Sequence, residues 1–462
     1  MALVQRNKMD MCQGPLMSKI IAFAIPLILT TVLQQLFHAA DLVVIGRFAS
    51  YQSMGAIGAT AAICSMMVNV FMGISIGVNV LVAQYFGAKD NRNTIRTTHT
   101  SIAIAIILGI VMMLIGFLLC DWTLRITDVP AEIFTRAKVY LMIIIAGFPS
   151  LMVYNFGCAI LRAVGDTRRP LYYLTIAGVV NVFLNLFFVV VCKMDVAGVA
   201  IATVISQIIS AWLVIRALMN SHGSSRLVLR NIRIDFPLLW KILYIGFPAG
   251  IQSGCFALSN MLMQGGINYF GAACTAGNTA VLTLEWLCYS IIYGFHHTAI
   301  AFVGQNYGGK QYDRVRASVR DTLFMSCLSV FIVSMIILIF GEPLIQIFNS
   351  DPQVVAWGML RLKILFFTYF TLASMDAYNG ALRGLGYTVL PTLTTLCFAA
   401  LFRILWLEFV FRRMAEPKLE VLLYSYPISW ILCTIVNAIV LYSILKKLKS
   451  PDSSGKYIQV KV

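Results

Sequence analysis

Apolar residues run along this chain in blocks at about 17–45, 53–83, 99–119, 137–160, 171–192, 196–219, 238–268, 275–303, 321–340, 354–380, 391–411 and 421–445. Each block is long enough for a helix to cross a hydrocarbon layer about 30 Å thick. The pattern predicts an all-α integral membrane protein with twelve transmembrane helices. Pro and Gly interrupt the first and seventh blocks. Between the sixth and seventh runs NSHGSSRLVLRNIRID, the longest polar stretch, which reads as a linker between two lobes. Composition agrees: of 462 residues 60% are hydrophobic and 12% charged, with a mean hydropathy of +0.84. A soluble domain cannot bury that much apolar surface. The opening MALVQRNKMDMCQGPLMSK is polar and lacks an apolar core ahead of a cleavage site, so the first span itself is expected to direct insertion.

The two halves repeat. Ala83–Thr97 (AQYFGAKDNRNTIRT) matches Gly304–Ser318 (GQNYGGKQYDRVRAS) at an offset of 221. Leu161–Pro170 (LRAVGDTRRP) matches Leu382–Pro391 (LRGLGYTVLP) at the same offset, and Pro26 matches Pro248 at 222. Separated matches at one offset identify a duplicated unit. Six spans per unit is an even number, so both halves enter from one side and form parallel repeats. The expected organisation is an N-terminal lobe over 1–219, a linker over 220–236, a C-terminal lobe over 237–449 and a tail over 450–462. A cleft between two such lobes, exposed to each side in turn by rocking, is a transporter's architecture.

The net charge of +16 would suit a nucleic-acid partner, but its placement argues otherwise. Lys89/Arg92/Arg96, Arg162/Arg168/Arg169, Arg216 to Lys241, Lys310/Arg314/Arg316/Arg320 and Lys446/Lys447/Lys449 cluster at alternate helix ends. That is the positive-inside pattern, and it puts these loops and both termini in the cytoplasm of a cell membrane. The eleven cysteines lie mostly in apolar segments with no CxxC, as small packing residues rather than a disulfide frame or metal site.

Candidate chemistry lies in the polar residues inside the spans. In the first, Gln34, His38 and Asp41 are spaced i, i+4, i+7 and share one face. Asp41 lies about 22 Å beyond Pro26 by helical rise, and a carboxylate in hydrocarbon marks a functional site or an interfacial helix end. His38 could titrate beside it or simply pack. Span two carries Asn69, Gly73 and Gly77, read as packing positions. Asn155 in span four, Asn181 and Asn185 in span five and Thr203 in span six offer oxygens to a small cation, or bonds that hold the bundle. Na⁺ at Asp41, Asn181, Asn185 and Thr203 is one reading of that set. In the second half, Glu285, Tyr289 and His296 share a face at i, i+4, i+11, followed by Asp376, Asn379, Arg383 and Arg403. Depth along the helices matches Arg403 to Glu285 better than to Asp376, so an Arg403–Glu285 pair is expected. Gln34, His38, Glu285, Tyr289, Asp376 and Arg403 are the expected cleft or gating residues. The aromatic and Met content would suit flat organic cations.

These residues resemble the multidrug and toxic compound extrusion (MATE) family over nearly the whole chain. The likeness rests on Pro26, Gln34 and Asp41 leading into VVIGRF, on VAQYFGAKD and its repeat VGQNYGGK, on ALRGLG at Ala381–Gly386 and on GVAIATVISQ at Gly198–Gln207. It implies twelve helices in two lobes and efflux of cationic or amphipathic compounds in exchange for H⁺ or Na⁺. It places the family's first-span acid on Asp41, its fifth-span pair on Asn181 and Asn185, and its sixth-span Thr on Thr203. The chain departs from the pattern in three places. Asn185 stands where some members carry Asp, Phe256 where others carry a seventh-span acid, and Leu372 where the tenth-span acid lies. The resemblance therefore implies an ion mechanism in the first lobe. A flippase for lipid-linked oligosaccharide is the nearest rival, though Arg403 is the one mid-span basic residue counted against Asp41 and Glu285. An enzyme is not expected: GxSxG, HExxH and facing paired Asp motifs are absent. No cofactor beyond the coupling ion is expected, and the chain reads as a monomer.

Overall fold

The computed structural model describes residues 9–221 and 223–448. Expectations that fall on residues 1–8, on Lys449 and on the tail over 450–462 lie outside the described residues. The regular structure described is helical throughout. In the first half come α1 (Leu16–Phe48), α2 (Tyr51–Gly87), α3 (Asn91–Ile126), α4 (Ala131–Ala146), α5 (Phe148–Ala163), α6 (Arg168–Leu186) and α7 (Asp195–Met219). In the second come α8 (Phe236–Asn268), α9 (Ala272–Gly308), α10 (Tyr312–Ile339), the short α11 (Gly341–Gln346), α12 (Pro352–Phe366) and α13 (Tyr369–Gly384). The last helices are α14 (Val389–Thr395), α15 (Phe402–Trp406) and α16 (Leu419–Lys447).

Among the described residues ten helical stretches are individually long and apolar enough to span a bilayer, and counting each of two bent pairs as one span brings the number to the twelve expected. The pairs are α4 with α5 and α12 with α13, each bent by 46°. In the first, Pro149 opens α5 and cannot donate to the preceding turn. In the second, Thr368 turns its hydroxyl back onto the carbonyls of Ile364 and Leu365 (3.1 and 3.0 Å), a side-chain bond that bends helices. Different residues produce the same bend at equivalent places.

The sequence repeat is a conformational repeat. Lys89 and Lys310 both take a left-handed backbone (φ 57° and 56°), as do Gly165 and Gly386 (φ 91° and 95°). Both glycines close the helix before them by donating to the carbonyl of Arg162 or Arg383 (3.0 and 2.8 Å), which satisfies a terminal carbonyl. α6 runs on into a π-helical turn at Phe187–Val191, and the corresponding helix of the second half into one at Leu407–Phe411.

The described residues form two compact units: Leu29–Gly250 with Met9 and Asp10, and Met11–Ile28 with the residues from Ile251 to Leu448. Beside the lobes expected at 1–219 and 237–449, residues 11–28 go with the second unit and the linker and first half of α8 with the first. The crossover points fall inside helices, two residues beyond Pro26 and Pro248. A proline removes one internal helical hydrogen bond, here in the turn that precedes each crossover.

Within the first unit, Gly73 and Gly77 of α2 meet α8 backbone to backbone. A β-carbon on Gly73 would lie 2.1 Å from the Gly250 nitrogen, and one on Gly77 2.3 Å from the Ile242 carbonyl oxygen. Both are packing positions, as expected, whereas Asn69 is exposed. Within the second unit, the start of α1 is tied down by Arg314, which donates to the carbonyls of Met11, Gln13 and Gly14 (3.1, 3.0 and 3.0 Å). Phe23 packs edge-on against Phe302, with centroids 5.6 Å apart.

Candidate functional site

In the first unit, α1, α6 and α7 bring four of the expected residues into one hydrogen-bonded line. Asn185 donates from Nδ2 to Asp41 Oδ1 at 2.5 Å and to Asn181 Oδ1 at 3.2 Å. Asn181 donates in turn to Thr203 Oγ1 at 3.5 Å. The i, i+4 spacing on α6 makes both amides face α1 and α7, and the π-helical turn begins two residues past Asn185. Turns of this kind interrupt a helix where side chains must be re-aimed.

Asn185 is fully buried and Asn181 nearly so, whereas Asp41 is partly exposed. Among the described residues no Lys or Arg pairs with Asp41; an amide is its hydrogen-bond partner. Asn185 Oδ1 is buried with no hydrogen-bond partner. A carboxylate with neutral oxygens beside it, one of them unused, is the donor set a hard monovalent cation or a proton would meet. Gln34 and His38 are exposed on α1 and make no hydrogen bond among the described residues, so they share its face without joining the line.

The second unit does not repeat this arrangement. The positions equivalent to Asp41 hold Leu262 or Met263, and the position equivalent to Asn185 holds Trp406, whose Nε1 donates to the Val421 carbonyl (2.9 Å). Asp376 instead stands where the first unit has Asn155, as the repeat predicts. Its Oδ1 accepts from Asn379 (3.4 Å), Asn379 accepts from Asn437 (2.9 Å), and Asn437 accepts from Thr394 (2.8 Å). His296 bonds the Asp376 carbonyl through Nδ1 (2.8 Å), while Arg383 reaches its Nε2 at 3.2 Å. Because arginine can only donate, Nε2 accepts and Nδ1 carries the proton, which makes His296 a neutral ring of fixed tautomer. Arg383 also donates to Gln252 Oε1 (2.7 Å). Sequence reasoning named Asp376, Asn379, Arg383 and His296 but missed Gln252 and Asn437, which only tertiary packing brings to them.

The expected Arg403–Glu285 pair does not form. Glu285 is bound by Arg361, at 2.8 Å from both Nε and NH2, and Arg361 also donates to Asn278 Oδ1 at 2.5 Å. Arg361 lies on α12 and is 3% exposed, so Arg403 is not the one mid-span basic residue. Arg361, in the stretch LRLKIL of the tenth span, is the residue in the sequence that marks this pair. Arg403 is fully buried and donates to Ser429 (2.9 Å) and Asn260 (3.2 Å). Its guanidinium lies over Tyr426, Phe256 and Trp430, with centroids at 4.4, 5.2 and 5.8 Å. Aromatic faces stabilise it in place of a carboxylate. Tyr289 packs edge-on against Trp286 and is joined to neither arginine by a hydrogen bond among the described residues.

The chain is similar to known proteins over most of its length. The MatE family profile matches twice, over residues 26–187 and 248–406, each match opening on one of the two repeat prolines. A probable multidrug resistance protein NorM from Thermotoga maritima is 29% identical over 82% of this chain and 82% of its own. The probable multidrug resistance protein YpnP of Bacillus subtilis is 27% identical over 82% and 84%. A solved MOP superfamily transporter from Pyrococcus furiosus superposes with a TM-score of 0.88 at 18% identity, covering 95% of this chain and 98% of that one. With the duplicated family profile spanning most of the residues between Pro26 and Trp406, the chain belongs to the multidrug and toxic compound extrusion family of multi-pass membrane transporters.

Proposed function

We propose that this transporter is a secondary active antiporter that exports cationic or amphipathic organic compounds in exchange for H⁺ or Na⁺, with Asp41 carrying the coupling ion. The observation behind this reading is the Asp41–Asn185 contact. The carboxylate has an amide rather than an arginine for company, and a buried oxygen, Asn185 Oδ1, remains without a bond. Removing a carboxylate from water costs several kcal/mol, a cost relieved when it takes up a proton or a cation. Loading from the outside and release to the inside then let the ion gradient bias the protein between two states, and export follows if drug and ion favour opposite ones. Asn181 and Thr203 hold the Asn185 amide in line, so its orientation can report whether Asp41 is loaded. In the second unit, Glu285 is engaged by Arg361 and Arg403 by aromatic rings; Asp376, like Asp41, has an amide partner, but the oxygen of that amide accepts from Asn437, whereas Asn185 Oδ1 is unbonded. That supports a mechanism centred on the first.

The multidrug names of the relatives support the substrate class, and the basic helix ends support a cell-membrane location with cytoplasmic termini. The test is ethidium or norfloxacin accumulation in expressing cells with and without an ionophore. Wild type lowers accumulation only while the gradient stands. Asp41→Asn, which keeps the shape and loses the charge, abolishes the difference; undiminished gradient-driven export by that variant would sink the assignment.

A further inference from the structure

A cavity of about 320 Å³ lies against the polar linker of the first unit, lined by Arg96, His99 and Thr100 from α3 and by Arg230, Arg233 and Asp235 from the linker. Its charge balance is positive. Arg96 is paired with Asp235, while Arg230 and Arg233 are exposed and have no carboxylate partner among the described residues. The wall that carries them is fixed. His99 uses both ring nitrogens, one on the Ile95 carbonyl (2.7 Å) and one accepting from the Val228 N–H (3.0 Å). Thr100 accepts from the Asp235 N–H (3.3 Å) and donates to the Arg233 carbonyl (3.4 Å). The linker backbone is thus pinned to α3, and the two free guanidinia stand on a rigid edge.

Exposed apolar residues flank the cavity residues along the chain. Leu229, Phe236 and Trp240 are 52%, 66% and 68% exposed. Phe236 begins α8, and the cavity residues of α3 lie within three turns of its start at Asn91, so all of this sits at the basic end of the helices. That end faces the cytoplasmic headgroup layer by the distribution of Lys and Arg. Exposed Trp and Phe beside unpaired Arg at that level match a lipid's two halves, acyl chain and phosphate.

We infer that this cavity binds the phosphate-bearing headgroup of an anionic lipid of the inner leaflet, with Arg230 and Arg233 on the phosphate and Trp240 beside the acyl chains. Guanidinium forks recognise phosphate oxygens in pairs, and the volume lies in the range that holds a headgroup. Free phosphate shares the charge chemistry but has no use for the flanking apolar residues, which is why the lipid is the chosen source. The inference is independent of ion coupling at Asp41.

The test uses the purified full chain reconstituted in vesicles containing brominated-chain phosphatidylglycerol or brominated-chain phosphatidylcholine, with tryptophan quenching as readout. Phosphatidylglycerol is expected to quench more, and Trp240→Phe to remove the excess. Arg230→Gln and Arg233→Gln should each weaken phosphatidylglycerol binding about fivefold. Arg226→Gln, an exposed linker arginine outside the cavity, should leave it unchanged. Variants are compared only where their melting curve matches wild type, and the two-lipid comparison on wild type alone is decisive if none does. Equal quenching by the two lipids overturns the inference. So does an equal loss in Arg226→Gln, which would mean diffuse charge, or displacement of the lipid by inorganic phosphate, which would make free phosphate the ligand.

Discussion

At the scale of single residues, Asn185 and Arg361 do opposite things to a buried carboxylate. Asn185 gives Asp41 a hydrogen bond without a counter-charge, which is what the proposed cation exchange at this acid requires. Asn185→Leu removes that bond and the oxygen beside it while keeping the volume. A hydrogen bond to a charged group contributes about 1.5–3 kcal/mol, so apparent affinity for the coupling ion should fall at least tenfold. The measurement is the ion-concentration dependence of transport in liposomes, and an unchanged half-saturation would remove Asn185 from the site. Arg361, in contrast, neutralises Glu285 with two bonds at 2.8 Å in a place where both are mostly buried. Removing one member of such a pair strands the other and costs about 3–5 kcal/mol, whereas removing both costs far less. Arg361→Gln should therefore lower the apparent melting temperature in detergent, and adding Glu285→Gln should restore most of it. Equal melting of the single variant and wild type would show that the pair adds nothing to stability.

At the scale of helices, close backbone contact between α2 and α8 depends on glycine at particular positions. A β-carbon at Gly73 would have no flexible neighbour to displace, only the Gly250 backbone at 2.1 Å and the Ala249 carbonyl carbon at 2.8 Å. Gly73→Ala must push the two helices apart, at about 1–3 kcal/mol for overpacking, and thermal unfolding of the detergent-solubilised protein reads the loss. Gly58, with nothing near its β-position, is the control expected to be silent. The repeat shows how far sequence carries at this scale. Gly165 and Gly386 were matched by sequence offset alone and prove to share a left-handed backbone, which only glycine adopts without strain. The 46° bends were not legible, because Pro149 breaks one helix and a threonine hydroxyl bends the other.

At the scale of the whole molecule, the proposed orientation rests on charge. Positive-inside ordering predicts the linker in the cytoplasm and the turn between α11 and α12 outside. In a background lacking the native cysteines, Ser350→Cys should react with a membrane-impermeant maleimide on intact cells. Gly223→Cys should react only after permeabilisation; the reverse result would invert the topology. Transport by purified protein under a pH gradient and, separately, under a Na⁺ gradient identifies the coupling ion, with Asp41→Asn inactive under whichever gradient drives wild type.

The sequence by itself determined the spans, the duplication and the shared face of Asn181 and Asn185, because each rests on local rules. Hydrocarbon thickness sets block length, a copied segment keeps its offset, and i, i+4 spacing places Asn181 and Asn185 on one face. Tertiary structure alone decided the partners. Whether Glu285 meets Arg361 or Arg403, whether Arg403 is steadied by a carboxylate or by Tyr426 and Trp430, and where α1 and α8 change from one compact unit to the other all depend on contacts between distant segments. Depth along a helix narrows such choices, but bends and rotations of a few tens of degrees select among them, and these arise from packing.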